Sequence, residues 1–302
     1  MRWFDRFVVV DWSAANRPTL GPDSIWVCVA GPAHAPVVAN LATRRAAERW
    51  LRAELAAAVA AGERTLVGTD FCHGYPAGFA AAVAPGDPTW RGVWAHLAAA
   101  VTDDAANQSD RFEVAARLNR RLAGAGLGAP FWGRPAAPPV PDLPATRPAP
   151  GPLAEWRGAE AALRAGGHRP HAVWKLAYAG AVGSQTLLGI PVLERLRTDP
   201  LLARCTRVWP FEPVAPPPAR PLVVHAETWP ALFAPEAEEG TCRDERQVRA
   251  VVAAWQRLDG AGRLAPLLAG VPDLPAVRAE EGWVLGAARI DPAPRPVPGP
   301  AR

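Results

Sequence analysis

Residues 6–12, RFVVVDW, and residues 65–70, TLVGTD, are two short apolar runs that contain or end in an aspartate, Asp11 and Asp70 respectively. Near-continuous apolar character with β-branched residues is typical of strands that are buried on both faces of a sheet. The carboxyl ends of such strands are where open α/β sheets collect their functional side chains. The two runs therefore predict two central strands whose ends carry acidic groups.

The chain between these runs predicts how the strands follow one another. Residues 24–30 (SIWVCVA) and 36–40 indicate two further strands, and residues 43–61 indicate a helix with Thr43 as its N-cap. The start of the chain is then β-β-β-α-β, as in an RNase H-like mixed sheet, where the first and fourth strands are neighbours. A Rossmann domain would alternate strands and helices and place GxGxxG after the first strand, where this chain has DWSAAN.

The remainder of the chain continues the α/β pattern and shows no internal repeat. Residues 130–152 are rich in proline, which is typical of an extended loop, and we interpret them as an insertion because the pattern resumes after them. We predict one RNase H-like α/β domain over residues 1–290, with its sheet flanked by helices, and a proline-rich tail at 291–302. Its later elements are helices at 90–101, 109–122 and 244–258, strands at 206–211 and 221–226, and a strand-turn-helix or loop-helix at 174–189.

The composition restricts the class of protein. The 302 residues are 49% hydrophobic and carry a net charge of +4, so a sizeable core can form and a nucleic-acid partner is permitted but not required. The four cysteines lie far apart without a CxxC pair, which argues against a structural zinc site. No signal-peptide pattern and no apolar run of about 20 residues are present, which predicts a cytoplasmic protein without a membrane partner. The oligomeric state stays open.

Four acidic residues mark a candidate catalytic site: Asp11 and Asp70 at predicted strand ends, Glu227 at the end of LVVHAE, and Asp244 opening the helix DERQVRAVV. Carboxylates that converge at one sheet edge are the ligands that Mg²⁺ and Mn²⁺ prefer. Two such ions about 4 Å apart activate water and stabilise the leaving oxygen of a phosphodiester. The four acids therefore predict metal ligands of a divalent-metal-dependent hydrolase acting on nucleic acid. Each has a structural alternative as a turn former or helix cap.

Four further residues are candidate substrate contacts. His73, three residues after Asp70, suits a proton shuttle or a phosphate contact. Lys175, a cation in a mostly apolar segment, suits a phosphate contact, and Gln185 follows a glycine that favours a helix N-terminus able to bind an anion. Arg111, at the start of RFEVAARLN, suits a phosphate contact or an ordinary surface ion pair. The structural alternative for His73 is a loop histidine without a functional role, and that for Lys175 is a surface lysine whose stem lies along apolar surface.

Several of these motifs together resemble a known family. VVVDWSA, GTDFCHGYP, RFEVAARLN, WKLAYAGAVGSQTLLGIP, HAETWP, DERQVRAVVAAW and EEGWVLG look like a bacterial family of uncharacterised proteins, domain of unknown function 429, described as predicted nucleases of RNase H-like fold. The likeness covers about residues 6–286. The family has a D-x-P-like turn after its second acid, whereas here the proline is displaced to Pro76. The resemblance implies the same four acidic site residues: Asp11 on the first strand, Asp70 after the fourth, Glu227 before an aromatic-Pro pair and Asp244 opening a late helix.

Other functions stay open, because the family's activity is itself inferred from its fold. An actin-like ATPase shares an acid on the first strand, but such chains usually duplicate their domain and no repeat is visible here. A non-catalytic ligand- or partner-binding protein would use the acids only to cap turns and helices. Some relatives in the family carry labels from molybdopterin or cobalamin biosynthesis, so an accessory role in cofactor metabolism is a further alternative.

Overall fold

A computed structural model describes residues 2–136, 138–214, 219–233 and 240–287 of the chain. Six strands join into one mixed sheet that passes through the middle of the molecule. The strands are β1 (Arg6–Asp11), β2 (Ile25–Gly31), β3 (His34–Leu41), β4 (Arg64–Thr69), β5 (Thr206–Val208) and β6 (Leu222–Glu227).

Helices cover both faces of the sheet. Short turns of 3-10 helix at Pro230–Leu232 and of π-helix at Val277–Glu281 complete the described elements. The α-helices are α1 (Arg44–Ala60), α2 (Phe79–Val83), α3 (Trp90–Ala100), α4 (Arg111–Gly124), α5 (Gly158–Ala165), α6 (Val182–Thr198), α7 (Arg243–Gly260) and α8 (Leu264–Ala269).

The strand order is β3-β2-β1-β4-β6-β5. The first three strands form an antiparallel meander, β4 lies parallel to β1, and β6 lies parallel to both β4 and β5. The predicted α/β class with a mixed sheet is therefore confirmed, as is the β-β-β-α-β start with the first and fourth strands adjacent. Val10 is paired with Thr69, so the residues that follow, Asp11 and Asp70, emerge side by side at one sheet edge.

The apolar run of β1 is continuous because both of its faces are covered. Val8 and Val10 pack into a core shared with α1, α3, α4 and α6, whereas Phe7 and Val9 pack into a second core shared with α7. All four side chains are fully buried. Parallel strands covered on both faces need this kind of sequence. The two cores hold β1 rigidly, which fixes the position of the acid at its end.

The local signals for α1 are also confirmed. Thr43 is its N-cap, with an extended backbone and a side chain that accepts a hydrogen bond from the backbone N–H of Ala46 at 3.1 Å. The predicted strand at 206–211 ends earlier, at Val208, because Pro210 has no N–H for the ladder. At 174–189 the structure has a loop that leads into α6 at Val182.

The proline-rich insertion is attached to the core. The described part of residues 130–152 holds no helix, but Phe131 and Leu143 are buried in the α4 side of the core. Asn119 of α4 donates amide hydrogen bonds to the carbonyls of Phe131 and Asp142, at 2.9 and 2.8 Å. The insertion therefore packs on the domain as a fixed loop. The predicted tail at 291–302 lies outside the described residues.

Candidate active site

A cleft of about 750 Å³ opens at the carboxyl ends of β1, β4 and β6. All four predicted acids line it: Asp11, Asp70 and Glu227 at the three strand ends and Asp244 in the first turn of α7. Parallel strands bring their carboxyl ends to one edge, which explains why acids far apart in sequence meet here. The four acids therefore share one cleft, but among the described residues only Cys72, Glu160 and Glu227 bring three ligand atoms within 4.8 Å of one another, so the three aspartates do not form a closed ligand set.

Asp11 and Asp70 are in direct contact. Burial raises the pKa of Asp11 well above its usual value, and the nearby charges of Asp70 and Asp244 raise it further. Burial also raises the pKa of Asp70, to about 6, against the opposing effect of hydrogen bonds from the Trp12 N–H and from Asp11. The Trp12 N–H donates to Oδ1 of Asp70 at 2.8 Å. The two carboxyls repel one another when both are ionised, so a proton held between them relieves the repulsion.

Asp244 faces this pair from α7. Its Oδ2 accepts a hydrogen bond of 2.7 Å from the backbone N–H of Asp23, in the turn before β2. Its negative charge raises the pKa of both Asp11 and Asp70. Three carboxyls thus act on one another within a partly buried cleft. A hard divalent cation would relieve the same repulsion that the proton relieves, and carboxylate oxygens are its preferred ligands.

Glu227 is held differently from the three aspartates. Nη1 of Arg157 donates to its Oε2 at 2.8 Å and Nη2 donates to its Oε1 at 2.5 Å, while the backbone N–H of His73 donates to Oε2 at 3.0 Å. Arg157 is fully buried and also pairs with Glu160. Both oxygens of Glu227 are therefore occupied by a buried guanidinium. The sequence predicted Glu227 as a free metal ligand because it does not reveal the pairing with Arg157, which lies 70 residues away in the chain.

Cys72, Glu160 and Glu227 form a buried group whose ligand atoms lie within 4.8 Å of one another. This geometry alone suits a metal, but its chemistry does not fit one. Arg157 pairs with both carboxylates, and burial raises the pKa of the Cys72 thiol well above its usual value, so the thiolate that a metal needs is disfavoured. We assign the group to a buried ion-pair network.

His73 does not line the cleft. Its side chain is fully buried between the rings of Phe71 and Trp94, and its Nε2 lies 2.7 Å from the hydroxyl of Thr69. Burial, together with the charge of Arg157, lowers its pKa to about 3, so the ring is neutral. The predicted contact of this side chain with a phosphate is not supported by its position, and the part of His73 that serves the site is its backbone N–H.

Gln185 and Lys175 lie close to the cleft in different ways. Gln185, in the first turn of α6, lines the cleft and donates its amide to the carbonyl of Trp12 at 2.5 Å, next to Asp11. Lys175 donates to the carbonyl of Ala179 at 2.6 Å and lies over the Trp132 ring. Gln185 is thus a wall residue that positions the backbone beside Asp11, whereas Lys175 stabilises the loop before α6.

Arg111 is buried, which rules out the predicted surface ion pair. Its Nε donates to the hydroxyl of Ser184 at 3.0 Å and its Nη1 to that of Ser109 at 2.8 Å. It lines a second cleft of about 340 Å³. The second cleft adjoins the first, because Ala14, Tyr178 and Ala181 line both.

Comparisons with family models, curated proteins and solved structures found no match. The family resemblance of the sequence motifs therefore stays a prediction. No helix in the described ranges combines the length and apolar character that crossing a membrane requires.

Sequence reasoning missed the cations of the main cleft. These are Arg169 and Arg243, and within the described part of the chain neither arginine has a carboxylate within 4.0 Å of its guanidinium. Two signals were available: Arg243 directly precedes Asp244, and the segment HRPH places Arg169 directly before a proline ahead of the α6 loop. A cleft with acids at its base and unpaired cations at its wall suits an anionic substrate.

Proposed function

We propose that this protein is a divalent-metal-dependent phosphodiesterase, a nuclease, with an RNase H-like fold. The observation that carries the proposal is the contact of Asp11 with Asp70 at the ends of neighbouring parallel strands, in a cleft that also holds Asp244. Adjacency of β1 and β4 after an antiparallel meander supports the fold assignment. The resemblance of the sequence motifs to predicted nucleases supports the same reaction class.

The ion would be held by Asp11, Asp70 and Asp244, whose repulsion it relieves. Its chemistry is to activate water and to stabilise the leaving oxygen of the phosphodiester. The chain's own residues supply position and charge: the Trp12 N–H orients Asp70, and Arg169 and Arg243 attract the substrate. Glu227 is left out of the proposed ligands because Arg157 occupies both of its oxygens.

A non-catalytic binding protein is the second candidate, and one observation favours it. The carboxylate of Glu227 is paired with an arginine, as expected of a purely structural acid. In such a protein, Asp11 and Asp70 would keep their shared proton and the cleft would hold a ligand without chemistry. The two candidates differ in whether the cleft binds a divalent cation.

Isothermal titration with Mn²⁺ separates the two candidates. We expect saturable binding to the wild type and at least about tenfold weaker binding, about 1.4 kcal/mol, for Asp11→Asn and for Asp70→Asn. Asp142→Asn is the matched control, because Asp142 is an exposed aspartate paired with Arg120 and does not line the cleft. It should bind like the wild type.

A cleavage assay then tests the reaction. A fluorescently labelled single-stranded oligonucleotide with Mn²⁺ should be cleaved by the wild type and by Asp142→Asn, and not by the two cleft variants. Absence of Mn²⁺ binding in the wild type would refute the metal mechanism and leave the binding protein. Mn²⁺ binding that survives both cleft substitutions would place the ion elsewhere and refute the proposed ligands.

A further inference from the structure

Arg111 is the exception among the buried arginines. Four arginines of the described residues are buried: Arg44, Arg64, Arg111 and Arg157. Three of them pair with a carboxylate, from Asp103, Asp5 and Glu160 respectively. Arg111 is 5% exposed, and no described carboxylate lies within 4.0 Å of its guanidinium.

The neutral partners of Arg111 do not balance its charge. They are the hydroxyls of Ser184 and Ser109, which bind Nε and Nη1, and the ring of Phe112, whose centroid lies 4.4 Å from Cζ. Burial, and then the charge of Arg44, lowers the pKa of Arg111 to about 10 against the opposing charges of Asp103 and Glu113, neither of which is in direct contact with it, so the group remains charged at neutral pH. A buried charge without a counter-ion is costly, and proteins retain one mainly where a ligand supplies the opposite charge.

Arg111 lines the second cleft. Among the described residues no acidic side chain lines that cleft. Ser184, from the first turn of the 17-residue α6, lines it and accepts the Arg111 bond while its own hydroxyl donates to the carbonyl of Leu176 at 2.5 Å. The positive end of the helix dipole adds to the attraction for an anion. The chemistry of this cleft therefore suits a phosphate, which accepts hydrogen bonds from a guanidinium in a planar, forked geometry.

Tyr178 stands where the two clefts meet. It lines both clefts, is 65% exposed and has a positive φ of 69°. Its hydroxyl donates to the carbonyl of Arg134 at 3.2 Å. An exposed aromatic ring anchored between the carboxylate cleft and the Arg111 cleft is a surface on which an unpaired base stacks.

We infer that Arg111, positioned by Ser184, forms a second phosphate subsite and that the substrate is a single-stranded nucleic acid lying across both clefts. One phosphate group lies at the carboxylate cleft, a neighbouring one binds Arg111, and a base between them stacks on Tyr178. The inference rests on the proposed function for the first position only. The Arg111 subsite binds phosphate without any metal.

Inorganic phosphate tests the subsite by itself. Isothermal titration in EDTA should show one site on the wild type, at least tenfold weaker binding for Arg111→Gln, and a smaller loss for Arg111→Lys. The matched control is Arg120→Gln, because Arg120 is exposed and paired with Asp142, and it should bind like the wild type. Thermal unfolding checks that each variant is folded. If Arg111→Gln is unfolded, Ser184→Ala makes the same test and should bind phosphate severalfold more weakly.

A single-stranded oligonucleotide tests the extended substrate. Affinity is measured in EDTA over a range of salt concentrations. Arg111→Gln should reduce the slope of log K against log salt by about 0.7, the value for one phosphate contact on a single strand. Tyr178→Ala should weaken binding by roughly five- to 150-fold, in keeping with the loss of one stacked base.

The outcomes separate this inference from the proposed function. Phosphate binding without Mn²⁺ binding would leave the subsite standing and refute the nuclease. Mn²⁺ binding in a wild type that does not bind phosphate would refute only the subsite. An Arg111→Gln variant that loses oligonucleotide affinity with an unchanged salt slope would show a structural role for Arg111 and overturn the inference. Stronger binding of duplex than of single strand would overturn the substrate class.

Discussion

The side chains of Asp11 and Asp70 meet across the ends of two neighbouring parallel strands, where burial raises the pKa of both carboxyls. The pairing of Val10 with Thr69 places the two acids side by side, and burial makes it unfavourable for both to be ionised. The contribution of this contact to the free energy of unfolding depends on pH and on any cation that takes the place of the proton. Two of the predictions below follow from that dependence.

Stability should fall with rising pH because of this pair. The pKa of Asp70 is about 6 in the folded protein, against 3.8 for the ordinary side chain, so the folded state holds more protons between these values. Stability from this source is present below about pH 4 and is lost as the pH rises to about 6. The variant Asp70→Asn lacks the effect.

Urea unfolding in EDTA at a series of pH values measures the change. The free energy of unfolding of Asp70→Asn, minus that of the wild type, should increase from pH 4 to pH 7. Asp142→Asn, at an exposed ion pair, should show no such trend. A constant difference for Asp70→Asn over the whole range would contradict the raised pKa.

The affinity for Mn²⁺ should rise with pH through the same range. The ion and the proton compete for the carboxyls of Asp11 and Asp70, whose pKa values burial raises. Isothermal titrations at pH 5, 6 and 7 in buffers of different ionisation enthalpy should show stronger binding at each step and release of protons on binding. Binding without proton release would show that the ion does not displace the proton of the pair.

Removal of Arg157 should be strongly destabilising. Arg157→Met retains the apolar stem but leaves Glu160 and Glu227 buried without their cation. Loss of one partner of a buried pair costs about 3–5 kcal/mol. Urea unfolding should show this loss, whereas Arg120→Met at the exposed pair with Asp142 should lose less than about 1 kcal/mol.

A rescue experiment distinguishes lost pairing from lost packing. Neutral Gln at both Glu160 and Glu227, combined with Arg157→Met, should recover part of the stability, because the uncompensated charges are gone. No recovery would show that the cost of Arg157→Met comes from packing and not from unpaired charge.

Gly189→Ala should disturb the floor of the site. A Cβ at this position would come within 2.3 Å of the ring of Phe71, the residue after Asp70. Overpacking of this kind costs about 1–3 kcal/mol, and the displaced ring should also weaken Mn²⁺ binding. Thermal unfolding and Mn²⁺ titration give the two measurements.

Gly124→Ala is the matched control for this change. It also lies in a helix, but nothing lies within 4 Å of its added Cβ, so it should be neutral or stabilise by up to about 1 kcal/mol. The double variant Gly189→Ala with Phe71→Leu should recover part of the loss, because the smaller side chain makes room. A Gly189→Ala protein as stable as the wild type would show that the Phe71 ring adapts without cost.

His225 should limit stability in acid. Within the described chain neither ring nitrogen has a hydrogen-bond partner, and burial, with the nearby His73, lowers its pKa from 6.5 to about 3. Because the folded pKa is lowered, its neutral form contributes stability that is lost as the pH falls from about 6.5 toward 3. His225→Phe removes this loss, so its stability relative to the wild type should increase from pH 7 to pH 4. Urea unfolding at pH 8 is the internal control, because the side chain at position 225 is then uncharged in both proteins, folded or unfolded.

Local sequence patterns determined much of this fold. The apolar runs of β1 and β4 and the Thr43 cap of α1 depend on neighbours within one element, so they are visible in the sequence. The strand-end positions of Asp11 and Asp70 follow from the same patterns, because parallel strands bring their carboxyl ends to the same edge of a sheet. These signals suffice to bring the two acids to one sheet edge.

The state of each side chain was decided only by the tertiary structure. Arg157 lies 70 residues from Glu227 and Arg111 lies 73 residues from Ser184, and no local pattern predicts either contact. His73 looks like a loop residue in the sequence, yet the packing of Phe71 and Trp94 buries its ring. Burial and charge pairing depend on the groups that surround a residue from all directions, whereas helix and strand periodicity depends on a few neighbours along the chain. For that physical reason the sequence predicts where the acids stand, and only the folded structure decides which of them are free to bind.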